Sequence, residues 1–566
     1  MMVLRWLPGW LYLTAAFCQP ANVWGQASNL RALLLEDVTS QTGIDFVHSD
    51  GGTGKHYLFE TVCAGVAILD YDGDGWMDIY FINGRRLNGA LPTAPFDRDP
   101  TLPPLTNRLY RNLGGWRFVD VTEQAGVGDT GYGLGVCAGD ADNDGDMDLF
   151  VNNFGPNVFY QNNGDGTFSQ LIDAPTSHES RVGAGVSWLD IEGDGDLDLY
   201  VGNYIQFSYD LGGNRTIFGV PIAPAPTDYP PDSDQLFQNN GDGSFTDISA
   251  ASNIASAAGA SMGLISFDYD RDGDTDIFVC NDSAANFLWQ NDGRGNFTEI
   301  GLLTGVAYDY AGLKQASMGV DCVDYDHDGW LDLFVTNYQD EIPNIYRNSE
   351  GQFFDDLGAA LGLGVATRSV TWGIALSDFD HDSFADIFIG CGHLIDTVGL
   401  VDSSLKFAAR NFLLQSENGK KFVDVTSRSG SGLEPVKVSR AVCSEDLDCD
   451  GDLDLVILNL NATPTVLRND SNHQGRHWCQ VRLVGRATNR NAAGTRVVLR
   501  AGNVTQTQEV HLGRGYQSHY GNTLHFGLDM ATKIDQIEVY WHAHEPTIYR
   551  DQPVDQVLTL VQEIGP

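Results

Sequence analysis

A nine-residue pattern recurs seven times in this chain, with carboxylates at positions 1, 3, 5 and 9 and Gly at position 6 in every copy but one. The copies are Asp70, Asp72, Asp74 and Asp78; Asp140, Asp142, Asp144 and Asp148; Asp190, Glu192, Asp194 and Asp198; Asp268, Asp270, Asp272 and Asp276; Asp324, Asp326, Asp328 and Asp332; Asp378, Asp380, Asp382 and Asp386; and Asp446, Asp448, Asp450 and Asp454. Such self-similarity marks an array of like units, which extends a core without thickening it, so a 566-residue chain need not split into several independent domains. The pattern also gives the composition its meaning. Acidic residues outnumber basic ones 76 to 33, for a net charge of -43, which excludes a general nucleic-acid surface. Because much of the acid falls in short loops, it signals metal binding first. A hydrophobic content of 42% excludes a disordered acidic chain.

Four like charges within nine residues repel strongly unless a cation sits among them. Carboxylates at 1, 3 and 5 can wrap one hard cation, a backbone carbonyl at 7 adds an oxygen, and the Asp at 9 closes the shell. Calcium suits this, because it accepts roughly six to eight oxygens in loose geometry while magnesium prefers an octahedron and keeps its waters. Up to seven calcium ions are expected, one per repeat. Gly at 6 permits the sharp turn, so the sixth copy, with Ser383 there, is the weakest. An EF-hand would need Glu at position 12; Phe81, Val151 and Val335 stand there instead, in strand-like runs.

Further elements repeat in step. After each loop comes a short apolar strand that usually ends in Asn, such as Leu109 to Asn112, Leu236 to Asn239 and Ile345 to Asn348. A Gly-rich turn and another strand follow, as in Phe118 to Thr122 and Phe422 to Thr426. With a Gly-rich first strand and an alternating second, each unit reads as four antiparallel strands, the blade of a propeller. The seventh unit lacks its last strand, and Glu36 to Thr39 offers an orphan one that would close the ring. The fold class expected is all-β: a seven-bladed β-propeller over 34–475 followed by a small β-sandwich over 476–563, whose alternating residues Ile537, Val539 and Trp541 face its core.

At this level the chain resembles proteins built from VCBS or FG-GAP repeats, the units of integrin α-subunit propellers. Its C-terminal region resembles the ASPIC/UnbV domain in Asn489, Arg490, Gly494, Arg496 and Val497, then Gly515, Tyr516 and Ser518, then Leu524 to Leu528 and Val539 to Trp541. Thr495 and His542-Ala543-His544 depart from that domain's usual residues. The two in this order resemble the cartilage acidic protein family, and the lack of an EGF-like cysteine module points to a bacterial-type member. The resemblance implies calcium binding outside the cytoplasm and no defined reaction.

Residues 1–25, with Arg5 ahead of an apolar stretch from Trp6 to Phe17, have the layout of a signal peptide, and Cys18 allows a lipoprotein variant. No later stretch is long and apolar enough to span a bilayer. The chain is therefore expected to be secreted, periplasmic or on the cell surface, where the eight cysteines after Cys18 could pair. Long insertions near 85–106, 205–233 and 392–410 follow second strands, so they should gather on the face opposite the acidic loops. Arg181, Lys314, Arg368 and Lys437, nine or ten residues before their loops, would form a cationic ring around an axial channel on that face and attract an anionic ligand. The partner expected is an extracellular protein or glycan, bound by a module with no catalytic residues. The alternatives are a propeller-based enzyme acting on polysaccharide, with His48, His56, His178 and His393 as loop histidines to consider, and a periplasmic assembly factor. The His-Glu-x-x-His zinc motif is lacking.

Overall fold

The computed structural model of the chain describes residues 30, 32–52, 56–86, 104–171, 181–209, 215–542 and 544–563. The leader expected over 1–25, with Cys18, lies outside them, as do His178 and most of the 85–106 insertion. Contacts divide the chain after Arg31, and the fold below is that of the unit beginning at Ala32.

The architecture is all-β with a few short helices. Each acidic repeat joins the first two strands of a four-stranded antiparallel sheet. In the first sheet, Val66–Leu69 runs into the loop, returns as Asp78–Phe81 and continues through Arg108–Asn112 and Phe118–Asp120. Five further sheets follow the same order, with first strands Tyr132–Gly139, Gly183–Leu189, Ser261–Phe267, Val320–Val323 and Thr371–Ser377; the third of these gains Gln315–Ala316 as a fifth strand, paired with its second. The next combines Ser439–Glu445, Asp454–Asn459 and Thr465–Asn469 with the N-terminal strand Leu35–Asp37, which sets Leu35 opposite Asn469 and Asp37 opposite Leu467. The orphan strand thus finds the partner expected of it, and a ladder edge that would otherwise be open is covered.

First strands contact their neighbours in a closed cycle, the seventh meeting the first. That crowding dictates their sequence. Five residues before the loop stand Gly65, Gly135, Gly185, Gly263, Gly319 and Gly373, with Ala441 in the last unit. A Cβ on Gly135, Gly185, Gly263, Gly319 or Gly373 would lie 2.1–2.7 Å from a backbone oxygen of the next sheet, which no side chain tolerates. The Asn that ends the third strand ties the sheets together at their other side. Asn162, Asn239, Asn291, Asn348 and Asn469 each donate through Nδ2 to the position-2 carbonyl of the preceding loop, at 2.8–3.0 Å. Asn112 does so to Leu447 at 2.8 Å, joining first sheet to seventh. Ser416 takes the place of Asn in the sixth sheet.

The C-terminal region forms two further sheets. One orders Thr523–Gly527, Trp478–Val484 and Val557–Val561, the last two parallel; the other orders Val504–Glu509, Arg496–Ala501, Ile534–Tyr540 and Thr547–Gln552. Ile537, Val539 and Trp541 are buried as expected, in a cluster that also takes in Val186, Trp188 and Val201 of the third sheet. The two regions therefore share one apolar core.

Between its strands this region sends residues 511–521 into the centre of the cycle, where they reach all seven sheets. His519 exchanges backbone hydrogen bonds with Val66 and Ile68, at 3.0 and 2.9 Å. Gln517 and Leu512 carbonyls accept from Val136 and Trp188. His511 Nδ1 lies 2.9 Å from the Ser266 carbonyl, and Gly515 pairs in both directions with Val320. Tyr516 packs edge-on against Trp372 at 5.1 Å, Tyr520 donates to the Ile374 carbonyl, and the Gly521 amide donates to Glu445. On the insertion side, Tyr57 and Phe59 pack with Phe207 and Phe154, and Arg440 is fully buried with its guanidinium on the Thr61, Gly392 and His393 carbonyls. The open axial channel expected from the sequence is thus filled, because seven crowded strands leave a polar backbone rim that a tight Gly-rich loop satisfies.

Tyr516→Ala removes a fully buried ring and the hydroxyl that donates to the Val62 carbonyl. Denaturant titration should show a loss of about 3–5 kcal/mol, against less than about 0.5 kcal/mol for Tyr310→Ala on the surface.

Candidate metal centres in the acidic loops

The loop carboxylates divide their work by position. At position 1 the carboxylate accepts from the position-6 amide in every copy, at 2.7–3.1 Å, which pins the turn. Position 5 accepts from the position-7 amide at 2.9–3.0 Å. The turn puts residue 6 in the left-handed region, where glycine is at ease; Ser383 holds φ near 78° there, a strain the other copies avoid.

Position 9 opens the second strand and is at most 2% exposed in all seven copies. One oxygen accepts from a third-strand amide at 2.7–2.9 Å. In six copies the other accepts from the position-2 amide at 3.0–3.3 Å. This aspartate is therefore a clamp between loop, second strand and third strand, a role the sequence reading did not give it. Position 3 meets a side chain from the third strand: Arg111 on Asp72, Gln161 on Asp142, Gln238 on Glu192, Gln290 on Asp270, Arg347 on Asp326 and Gln415 on Asp380. In the sixth loop Arg476, from the segment after the last sheet, adds ion pairs to Asp380 at 2.9 Å and Asp382 at 3.6 Å.

What these contacts leave over faces inward. Oδ1 of Asp70, Asp72, Asp268, Asp324 and Asp448, and Oε2 of Glu192, are buried with no hydrogen-bond partner. Carboxylate oxygens of Asp70, Asp72 and Asp78 lie within 4.8 Å of one another, as do those of Asp140, Asp142 and Asp144, of Asp190, Glu192 and Asp198, and of Asp268, Asp270 and Asp276. Buried anionic oxygens without donors are costly, and an all-oxygen set of this spacing fits a hard cation such as calcium. With no cation, burial first and neighbouring carboxylates second push Asp78, Asp148 and Asp324 up to about 8, Asp140 and Asp268 to about 7 and Asp190 to about 6.

The other candidates are dispersed. Arg181 pairs with Asp232 at 3.1 Å and Arg368 with Asp340 at 2.7 Å, Lys437 donates to Thr465 Oγ1, and Lys314 is exposed. With the axis filled, these four line no open channel; acids of neighbouring loops hold two of them locally. His48 and His393 are buried rather than superficial: the Asn461 amide donates to His48 Nδ1, and His393 lies against Tyr338, Gln339 and the Ile395 amide. His56 lies 3.9 Å from Asp396. None of the eight cysteines described forms a disulfide, and all but Cys449 are buried. Among the described residues, no helix is long and apolar enough to cross a membrane.

The profile of the FG-GAP-like repeat matches residues 70–151, 142–201, 222–279, 268–335 and 324–389, together just over half of the chain. The chain belongs to the FG-GAP-like repeat family. The profile match stops at 389, yet the loop of Asp446 to Asp454 has the same hydrogen bonds as the first five loops. Residues 485–565 match the domain described as ASPIC and UnbV, so the loop that fills the ring centre belongs to it. Cartilage acidic protein 1 of mouse and of human are each 26% identical to this chain, over 47% of it. The matched region spans about two fifths of those relatives, 39% and 38% of their length. Among solved structures, an Agrocybe aegerita lectin described as recognising non-reducing terminal N-acetylglucosamine aligns over 67% of this chain and 80% of its own, at 16% identity and a TM-score of 0.38.

Two outcomes are expected of the metal-free FG-GAP loops. Raised carboxylates bind more protons in the folded chain than in the unfolded one between about pH 4 and pH 8, so these groups favour folding at the low end and lose that contribution as pH rises. Denaturation midpoints in chelator should accordingly fall from pH 5 to pH 8; a rise would show that the loops are not desolvated as described. In chelator at neutral pH, Asp332→Ala orphans the buried Tyr325 and Asn348 amides and should cost about 2–3 kcal/mol or more, whereas Asp326→Ala should stay within about 1 kcal/mol.

Proposed function

We propose that the chain is a calcium-loaded, seven-bladed β-propeller with a C-terminal β-sandwich seated on its loop face, exported from the cell and acting there as a binding or scaffolding module for an extracellular protein or glycan. The observation that carries the calcium reading is the repeated set of inward carboxylate oxygens that no donor satisfies. Asp or Glu at 1, 3 and 5 would hold each ion with the position-7 carbonyl, and the ion would supply fixed charge and rigidity. The sixth loop would fill last, since Ser383 is strained and Arg476 already meets two of its carboxylates. Export rests on the leader-like residues 1–25.

The binding reading is supported by how the two faces are used. Residues of the C-terminal sheets and their loops meet the acidic loops: Asn491 accepts from the Asp140 amide, Gln480 donates to Asp446 and Glu509 accepts from the Asp268 amide. That leaves the insertion face for a partner. There Phe207 and Tyr229 pack inward, while Phe218, at the tip of a small hairpin, is 91% exposed. A catalytic reading finds less to work with. Cys322 Sγ lies 3.2 Å from His511 Nε2, but burial holds that thiol well above its ordinary value and the ASPIC/UnbV domain covers it.

Chelation should lower the melting temperature markedly and calcium should restore it, with magnesium much less effective. Immobilised chain should retain a matrix protein or glycan without releasing product, and Phe218→Ser should weaken that retention at unchanged melting temperature. Turnover of a polysaccharide would replace the binding reading with the enzymatic one.

A further inference from the structure

Where the sixth loop, the seventh loop and the segment leading into the ASPIC/UnbV domain meet, three histidines crowd one aspartate. His381 is residue 4 of the sixth loop and Asp452 residue 7 of the seventh; His473 follows the last strand of the seventh sheet and His525 lies in Thr523–Gly527. The His473 Nε2 to Asp452 Oδ2 distance is 2.8 Å, and His381 Nε2 stands 3.4 Å from Asp452 Oδ1. One ligand atom from each of these three residues lies within 4.8 Å of the others. The rings of His381 and His473 stack at 4.0 Å, and that of His525 lies 5.2 Å from His381.

The decisive feature is His381. Its side chain is 1% exposed, and neither ring nitrogen makes a hydrogen bond of good geometry; His525 Nδ1 is likewise buried without a partner. Buried ring nitrogens are otherwise almost always satisfied. The nearby positive charge does not fill the gap, because Arg476 is committed to Asp380, Asp382 and Asp529. Nitrogen donors also set this cluster apart from the oxygen-only loops: imidazole suits zinc and its neighbours, while calcium takes oxygen.

We propose that His381, His473 and Asp452 form a binding site for a zinc-class divalent cation, with His525 at its edge. Ligand atoms around tetrahedral zinc, at bond lengths of about 2.0–2.1 Å, stand roughly 3.3 Å apart, and the two histidine nitrogens lie 2.8 and 3.4 Å from Asp452 oxygens here. Such an ion would pin the last two acidic loops to the segment that carries the ASPIC/UnbV domain, and it would do so whether or not the loops hold calcium.

The test uses the full chain with calcium in excess, so that the acidic loops are saturated, and zinc chloride as the probe. One zinc per chain should be retained, and His473→Gln should weaken it by at least about tenfold while leaving the calcium content and the calcium-dependent rise in melting temperature unchanged. Cobalt(II) bound to the wild-type chain should give the intense visible bands of a tetrahedral, imidazole-containing site. No zinc uptake in the presence of calcium, equal uptake by His473→Gln, or a cobalt spectrum typical of octahedral oxygen ligation would each overturn the proposal.

Discussion

The constraint on which the rest depends is the burial of carboxylates that have too few hydrogen-bond donors. Each loop meets it in the same way. Position 1 is spent on the turn, position 5 on the following amide and position 9 on the junction of two strands. Only the inward oxygens are left for a cation. The same residues therefore pin the turn and hold the sheet, so the repeat cannot drift at position 9 without losing strand pairing. That coupling explains why the pattern survives seven times in one chain while the sequence between copies varies in length from one unit to the next.

A second constraint comes from the ring centre. Seven first strands converge so closely that glycine is required at one position in nearly every unit. The backbone groups they expose toward the axis are taken up by residues 511–521, including Arg514, which is paired with buried Asp321 at 2.8 Å. The ASPIC/UnbV domain is thus a structural part of the ring, and its apolar core is continuous with that of the third sheet.

Much of this was legible in the sequence because it is periodic. The seven loops, the four strands of each unit and the N-terminal strand that completes the last sheet follow from spacing and alternation alone. The Asn at the end of the third strand was visible as a repeat, but not its purpose, since its partner is a carbonyl in another unit. The hub loop was not legible. Gly513, Gly515, Tyr516 and Ser518 read as a family motif, and nothing local says that such a stretch leaves its own domain to satisfy seven others. Arg181, Lys314, Arg368 and Lys437 share a spacing but no common environment: the two arginines pair with nearby carboxylates, Lys437 donates to a threonine hydroxyl and Lys314 is exposed. Arg440, fully buried beside the ring centre, occurs in one unit and so carries no periodic signal. His381, His473 and Asp452 come from three separate stretches and converge only through the ring.

The most direct measurement is an experimental structure of the chain grown in calcium, with anomalous scattering recorded to locate the ions. Discrete calcium peaks should appear inside the acidic loops, each contacted by the carboxylates at positions 1, 3 and 5 and the carbonyl at 7, with the sixth loop the least occupied. Loops holding only water, with their carboxylates hydrogen-bonded to one another, would contradict the claim that a metal ion neutralises the desolvated acid on which this fold is built.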